Sequence, residues 1–164
     1  MLKTLRRKVL RVLSKLFSDR MAERLARRLS RRFVDQLRDR ATDEFLEILL
    51  RSMDIAFALS GTYRKNNLDK FHARYVFATR DGKVGATADF ADGDMKVSDE
   101  AKDDFTVRIR FKDAAALRRF LFAEKQDVLT SVLDNEVEID GNVNYVYKLG
   151  YMANDLERRL GMAA

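Results

Sequence analysis

The spacing of hydrophobic residues changes at about residue 68, and this change predicts which parts of the chain form helices and which form strands. Before it, apolar residues recur three or four positions apart, as on one side of a helix. After it, stretches such as 105–111 alternate apolar and polar side chains. Alternation directs successive side chains to opposite faces of a strand, so the second part predicts a sheet with one apolar face.

Turn signals divide this second part into strands. Asp81-Gly82 is a hairpin signal, and Asp92-Gly93 marks a further turn. A polar loop over 98–104 precedes a clearly alternating strand over 105–111. A short strand containing Val137 and Ile139 ends at Gly141. The pattern is typical of an antiparallel sheet that is covered on one side.

Helices are predicted on both sides of these strands. The residues before the sheet include a helix that Thr42 or Asp43 caps and that Ser60-Gly61 ends, while Asn66-Asn67 is interpreted as a turn. After residue 111, helices are expected over 114–124 and 127–133 and from 143 to the end. We therefore predict an α+β domain over 41–164, an antiparallel sheet with helices packed on one face, preceded by amphipathic N-terminal helices.

The first 40 residues differ sharply in charge from the rest. Residues 1–40 hold 14 basic and four acidic side chains, a net charge of +10. The remainder holds 18 basic and 22 acidic side chains, a net charge of −4. A strongly basic segment on a mildly acidic body indicates an anionic partner for that segment. We treat residues 1–40 as a separate helical unit and call it the arm.

Projected as a helix, residues 2–17 have an apolar side and a basic side, which is the pattern of a helix that lies in a membrane interface. The segment is too short and too charged to span a bilayer. The residues expected to engage an anionic membrane are Lys3, Leu5, Arg6, Arg7, Val9, Arg11, Leu13 and Phe17. A basic helix that packs on its own domain is an alternative, and a mitochondrial transit peptide is another. Nucleic-acid binding is less favoured, because Phe17 and Phe33 lie on apolar sides rather than among the arginines.

Composition argues against enzyme chemistry. The chain has no Cys and one His, so thiol catalysis, thiolate zinc sites and His-pair metal sites are excluded. No phosphate-binding loop, dinucleotide-binding glycine pattern or nucleophile elbow occurs. His72 is interpreted as a surface or packing residue. We expect a protein without enzyme activity, metal or cofactor, located in the cytoplasm and attached peripherally to a membrane.

The stretch from about 43 to 156 resembles the sterol carrier protein type 2 domain. The resemblance rests on "FTVRIRFKDAAALRRFL", on "DVLTSVLDNEVEIDGNVNYVYKL" with its Gly141-Asn142 pair, and on the hairpin "FHARYVFATRDGKVGATADF". Two departures are present: the short helix lacks the family's Pro and Phe, and the Gly before the penultimate strand is missing. The arm lies outside the resemblance.

The resemblance implies a hydrophobic cavity between the sheet and the C-terminal helices that binds a sterol, a fatty acyl chain or an isoprenoid quinone-type lipid without catalysis. The residues expected to line it are Phe77, Phe90, Phe105, Ile109, Phe120, Leu121, Leu129, Val132, Leu133, Ile139, Val143 and Tyr147. Ordinary core packing would use the same residue types, since pockets for apolar ligands are lined mainly by apolar side chains. The alternative is an accessory subunit with a filled core whose arm docks on a protein partner.

Overall fold

A five-stranded sheet forms the centre of the computed structural model, which describes residues 45–122 and 127–160. Within these residues the elements follow the chain as α1 (Phe45–Leu59), α2 (Gly61–Leu68), β1 (Ala73–Thr79), β2 (Gly85–Ala91), β3 (Asp94–Ser98), β4 (Val107–Phe111), α3 (Ala114–Phe122), α4 (Val128–Leu133), β5 (Val137–Gly141) and α5 (Asn144–Leu160). The predicted α+β class is confirmed. The arm lies outside the described residues.

The strand order is β3-β2-β1-β4-β5, and the central strand β1 is parallel to its neighbour β4. The other three pairs are antiparallel. The expectation of a purely antiparallel sheet is therefore wrong for one pair. The segment after β3 runs back along the sheet. It is held there by a hydrogen bond from the Thr87 hydroxyl to the Glu100 carbonyl at 2.6 Å. Strand β4 then pairs with β1. Side chains alternate in the same way in both kinds of pairing, so the sequence pattern did not distinguish them.

The junction between α1 and α2 differs from the prediction. Helix α1 does end at Leu59, but Gly61 opens another helix instead of stopping the chain in a left-handed conformation. Ser60 caps α2, since its hydroxyl accepts a hydrogen bond from the backbone N–H of Tyr63 at 3.2 Å. The expected turn at Asn66-Asn67 is wrong, because both residues lie in α2. Buried contacts account for this: the Asn67 amide donates to the Tyr63 carbonyl and to Asp155 of α5.

The apolar core lies on one face of the sheet. The wide apolar side of α1 is buried, with Leu46, Leu50, Met53 and Phe57 each 1% exposed. Phe57 stacks on Tyr63 with ring centroids 4.3 Å apart. This burial supplies most of the favourable free energy of folding in a domain of this size.

The opposite face of the sheet is polar and carries cross-strand ion pairs. Arg74 on β1 bonds to Asp89 on β2 at 2.8 Å, and Arg110 on β4 bonds to Glu138 on β5 at 2.7 Å. These pairs follow the strand register. They confirm that one face of the sheet is apolar and the other is polar.

None of the helices in the described ranges is long and apolar enough to cross a membrane.

Candidate functional site

A small apolar cavity lies between the sheet and the helices α1 and α5. Its volume is about 20 Å³. The wall combines residues of both helices with residues of β1, β4 and α3. It consists of Leu46, Leu49, Leu50, Met53, Phe77, Ile109, Phe111, Phe120, Val146, Leu149, Gly150 and Ala153.

The parallel pairing of β1 and β4 builds the floor of the cavity. Phe77 and Ile109 are register partners in that pair, so their side chains stand next to each other on the apolar face. Phe111, two residues further along β4, lies on the same face and contacts Phe120 of α3, with ring centroids 5.6 Å apart. An antiparallel neighbour in place of β4 would bring a different set of residues beside Phe77.

Two buried tyrosine hydroxyls hold α5 over the cavity. The Tyr75 hydroxyl of β1 donates to the Tyr145 carbonyl at 2.8 Å, and the Tyr63 hydroxyl of α2 donates to the Met152 carbonyl at 2.7 Å. Burial raises the pKa of Tyr75, and the nearby Tyr145 adds to the increase. The hydroxyl of Tyr75 therefore stays protonated and remains a donor to α5 at all ordinary pH values.

The Gly141-Asn142 junction directs α5 across the sheet. Gly141 has a φ of +109°, and a Cβ at this position would lie 2.6 Å from the Thr106 carbonyl oxygen. Asn142 then accepts a hydrogen bond from the backbone N–H of Asn144 at 2.9 Å, which starts the helix. The pair thus supplies a positive φ at Gly141 and a cap at Asn142.

Three of the twelve residues predicted to line the cavity are in its wall: Phe77, Ile109 and Phe120. Phe90 is buried in the core nearby, where its ring and that of Tyr75 pack edge to face with centroids 5.4 Å apart. Ile139 and Phe105 are partly buried, the latter under the guanidinium of Arg108.

Five of the other predicted residues lie on the surface instead. They are Leu129, Val132, Leu133, Val143 and Tyr147, with exposed fractions from 38% to 71%. The side chain of Leu121 lies outside the described part, as do all eight residues predicted to bind a membrane. Their roles stay predictions.

Sequence reasoning missed nine wall residues. They are Leu46, Leu49, Leu50, Met53, Phe111, Val146, Leu149, Gly150 and Ala153. The signal for α1 was present, since its apolar side was already too wide for a surface helix. Phe111 also shares the alternation that identified Ile109.

The described residues hold no cluster of three or more His, Asp or Glu side chains that could bind a metal ion. His72 is exposed. Within these ranges the wall of the cavity carries no hydroxyl, amide, carboxylate or basic side chain. The site can therefore bind by shape and hydrophobic contact, with no polar side chain of the wall to orient a ligand.

The fold formed by this sheet and these helices occurs in solved structures. The structure of "UbiJ-SCP2 Ubiquinone synthesis protein" matches with a TM-score of 0.50 and 17% identity over 71% of this chain and 95% of that chain. Sterol carrier protein domain 2 of Helicoverpa armigera matches with a TM-score of 0.50 and 13% identity over 74% of this chain and 91% of that chain. The protein thus has the sterol carrier protein 2-like fold, which confirms the resemblance at the level of fold. No protein-family model and no curated protein matches the sequence.

Proposed function

We propose that this protein binds a long apolar lipid, sterol-like, fatty acyl or isoprenoid quinone-type, without catalysing a reaction. The observation that carries the proposal is a wall made only of apolar residues, placed between the sheet and α5 in a sterol carrier protein 2-like fold. One solved protein with this fold is named a sterol carrier protein, and another is named a ubiquinone synthesis protein. Both names concern molecules with extended hydrocarbon parts.

The apolar wall favours the hydrocarbon part of a lipid over its polar head group. Each methylene moved from water into such a site contributes about 0.8 kcal/mol. A polar head group would lose its hydrogen bonds there, so it stays outside. Binding then selects for hydrocarbon length and shape.

The volume requires the wall to open. A cavity of about 20 Å³ has room for about one water molecule. Pockets that enclose whole organic ligands are roughly 300–1,000 Å³. The ligand therefore enters only if α1 and α5 move apart, with Gly150 and Ala153 as the smallest residues on the moving side.

The arm would hold the protein at an anionic membrane, where such lipids reside. Its apolar side would enter the interface, and each basic residue near the surface would add about 1 kcal/mol. The protein would then be cytoplasmic and peripherally attached.

The test of lipid binding is organic extraction of the purified full-length protein followed by mass spectrometry. We expect a co-purified lipid in wild type and in Asn154→Leu, whose altered side chain is exposed. We expect its loss in Ala153→Leu, one residue away, because the larger side chain enters the cavity. Retention of equal amounts by the two variants, or no lipid in any of them, contradicts the proposal.

The membrane role has a separate test. Full-length protein should float with vesicles of anionic phosphatidylglycerol and not with neutral phosphatidylcholine vesicles. Leu5→Asp combined with Val9→Asp should abolish flotation, whereas Thr4→Asp with Ser14→Asp adds the same charge without removing apolar residues. Equal flotation of both double variants would refute the role of the apolar side.

A second candidate function, an interaction subunit with a filled core, is favoured by the small cavity volume. The two candidates differ in the extraction experiment. A clean extract together with a stable, cooperative fold supports the second candidate.

A further inference from the structure

Among the side chains whose exposure the structure describes, the large apolar ones that are exposed all lie on α4, on α5 or directly before α5. Within 45–122 and 127–160 these side chains are Leu129, Val132, Leu133, Val143, Tyr147 and Tyr151, and we call them together the apolar surface. Val143, Tyr147 and Tyr151 are four residues apart, so they follow one side of α5. Helix α4 packs on β5, which leads directly into α5. Concentration of exposed apolar residues on consecutive elements indicates an interaction surface.

The charge around the apolar surface is negative. Residues 127–151 hold five acidic side chains and a single basic one, Lys148, whose amino group lies 5.3 Å from the ring centroid of Tyr151. Glu136 and Glu138 are neutralised by ion pairs with Arg119 and Arg110. Asp134 and Asp140 are exposed and form no ion pair with the described part of the chain. Such a surface repels an anionic membrane and suits a helix that is apolar on one side and basic on the other.

The chain itself supplies a segment with these properties. Residues 2–17 combine an apolar side with Lys3, Arg7, Lys8, Arg11 and Lys15 on the other side, and the arm carries a net charge of +10. Its chemistry is complementary to both the apolar and the acidic character of the apolar surface. The remaining connection, 18–44, has 27 residues and spans at most about 40 Å as a helix, so a bend within it returns residues 2–17 to the body.

The point where the arm joins the body also favours this contact. The first turns of α1 contribute Leu46 and Leu49 to the cavity wall, which they share with Val146 and Leu149 of α5. Helix α1, the first described element after the arm in the sequence, therefore begins near the helix turn that carries the exposed Tyr147. A tethered segment close to its docking site has a high effective concentration there.

We propose that the apolar side of residues 2–17 docks on the apolar surface of the same molecule when no membrane is present. An anionic membrane competes for the same side of the arm, so membrane binding uncovers α4 and α5. This contact does not depend on lipid binding in the cavity, and lipid extraction and docking can fail independently.

Disulfide trapping in the full-length protein tests the contact, because the chain has no native cysteine. Val9→Cys is combined with Leu133→Cys, a residue that is 71% exposed and so tolerates replacement. One control pairs Lys8→Cys, on the basic side of the arm, with Leu133→Cys. The other pairs Val9→Cys with Lys96→Cys, an exposed residue on β3 at the far edge of the sheet.

We expect an intramolecular disulfide in the test pair that forms at least about tenfold faster than in either control, since docking raises the effective concentration of the two thiols. The rate should not depend on protein concentration, and it should fall with added salt or with phosphatidylglycerol vesicles. Equal rates in all three pairs overturn the proposal. A disulfide-linked dimer whose yield rises with protein concentration also overturns it, by identifying a second copy as the occupant.

The charge contribution has its own readout. Asp134→Lys combined with Asp140→Lys should lower the rate of disulfide formation at low salt and leave that rate unchanged at high salt. The variant removes an electrostatic attraction that high salt already screens. Asp92→Lys with Asp94→Lys, at the β2–β3 turn, makes the same charge change elsewhere. Equal slowing by both variants would show a general charge effect and would contradict docking on α4 and α5.

Discussion

Replacing Gly141 by Ala perturbs the junction that aims α5 over the cavity. Gly141 pairs with Val107 at the end of β5, and its φ of +109° is a conformation that side chains with a Cβ rarely adopt. The added methyl would lie 2.6 Å from the Thr106 carbonyl oxygen and 3.2 Å from the Val107 Cα. Both are backbone atoms beside or within β4, so neither can move away as a side chain could.

The expected cost follows from two contributions. The unfavourable backbone conformation costs about 1–3 kcal/mol. Forcing backbone atoms apart in a packed region costs about 1–3 kcal/mol more. The free energy of unfolding should therefore fall by about 4 kcal/mol. With a urea dependence of about 2 kcal/mol per molar, the unfolding midpoint moves down by about 2 M.

Gly82→Ala is the matched control. Gly82 also has a positive φ, +71°, but a Cβ there would meet nothing within 4 Å. Only the conformational cost of about 1–2 kcal/mol remains. Urea unfolding of wild type and both variants measures the difference. If Gly141→Ala loses no more stability than Gly82→Ala, the close approach of β4 does not contribute, and the reasoning is refuted.

Two further predictions concern α5 and the strand beneath it. Gly150→Ala should raise the free energy of unfolding by about 1 kcal/mol, because Gly150 lies inside a helix without a positive φ and borders the cavity; a lower thermal unfolding midpoint would contradict this. Tyr75→Phe should weaken the decrease in the free energy of unfolding at alkaline pH. Since the unfolded tyrosine loses its proton near pH 10.0 while the buried hydroxyl keeps its own, wild type loses stability as the pH rises above that value. Urea unfolding across this range should show the slope in wild type and a weaker one in the variant; parallel curves would show that Tyr75 is not the titrating group.

Local signals in the sequence predicted much of the fold because they act over a few residues. Asp113 caps α3 through a hydrogen bond from the Ala116 backbone N–H at 2.8 Å, and Asp127 caps α4 through one from Thr130 at 3.0 Å. The Asp92-Gly93 turn has φ values of 55° and 69°, the geometry that this dipeptide favours. Each of these depends on residues adjacent in the chain.

The sequence predictions fail where contacts between residues far apart in the chain determine the structure. Asn67 belongs to a helix because of its bond to Asp155, 88 positions away. The cavity wall includes Val146 and Ala153 because α5 packs beside α1, a contact between segments that are far apart in the sequence. Leu129 and Leu133 have the residue type of a wall and are exposed at 66% and 71%. Residue type predicts burial only on average.

The parallel pairing of β1 with β4 has a consequence for synthesis of the protein. Strand β1 emerges 34 residues before β4, counting from Ala73 to Val107, and meanwhile has a partner along only one edge. The hairpins with β2 and β3 can form at once, but the open edge holds Tyr75 and Phe77, residues with a strong tendency to pair with other strands. A nascent chain stalled before residue 107 would expose this edge to its neighbours on the polysome, so aggregation is favoured at that stage of translation.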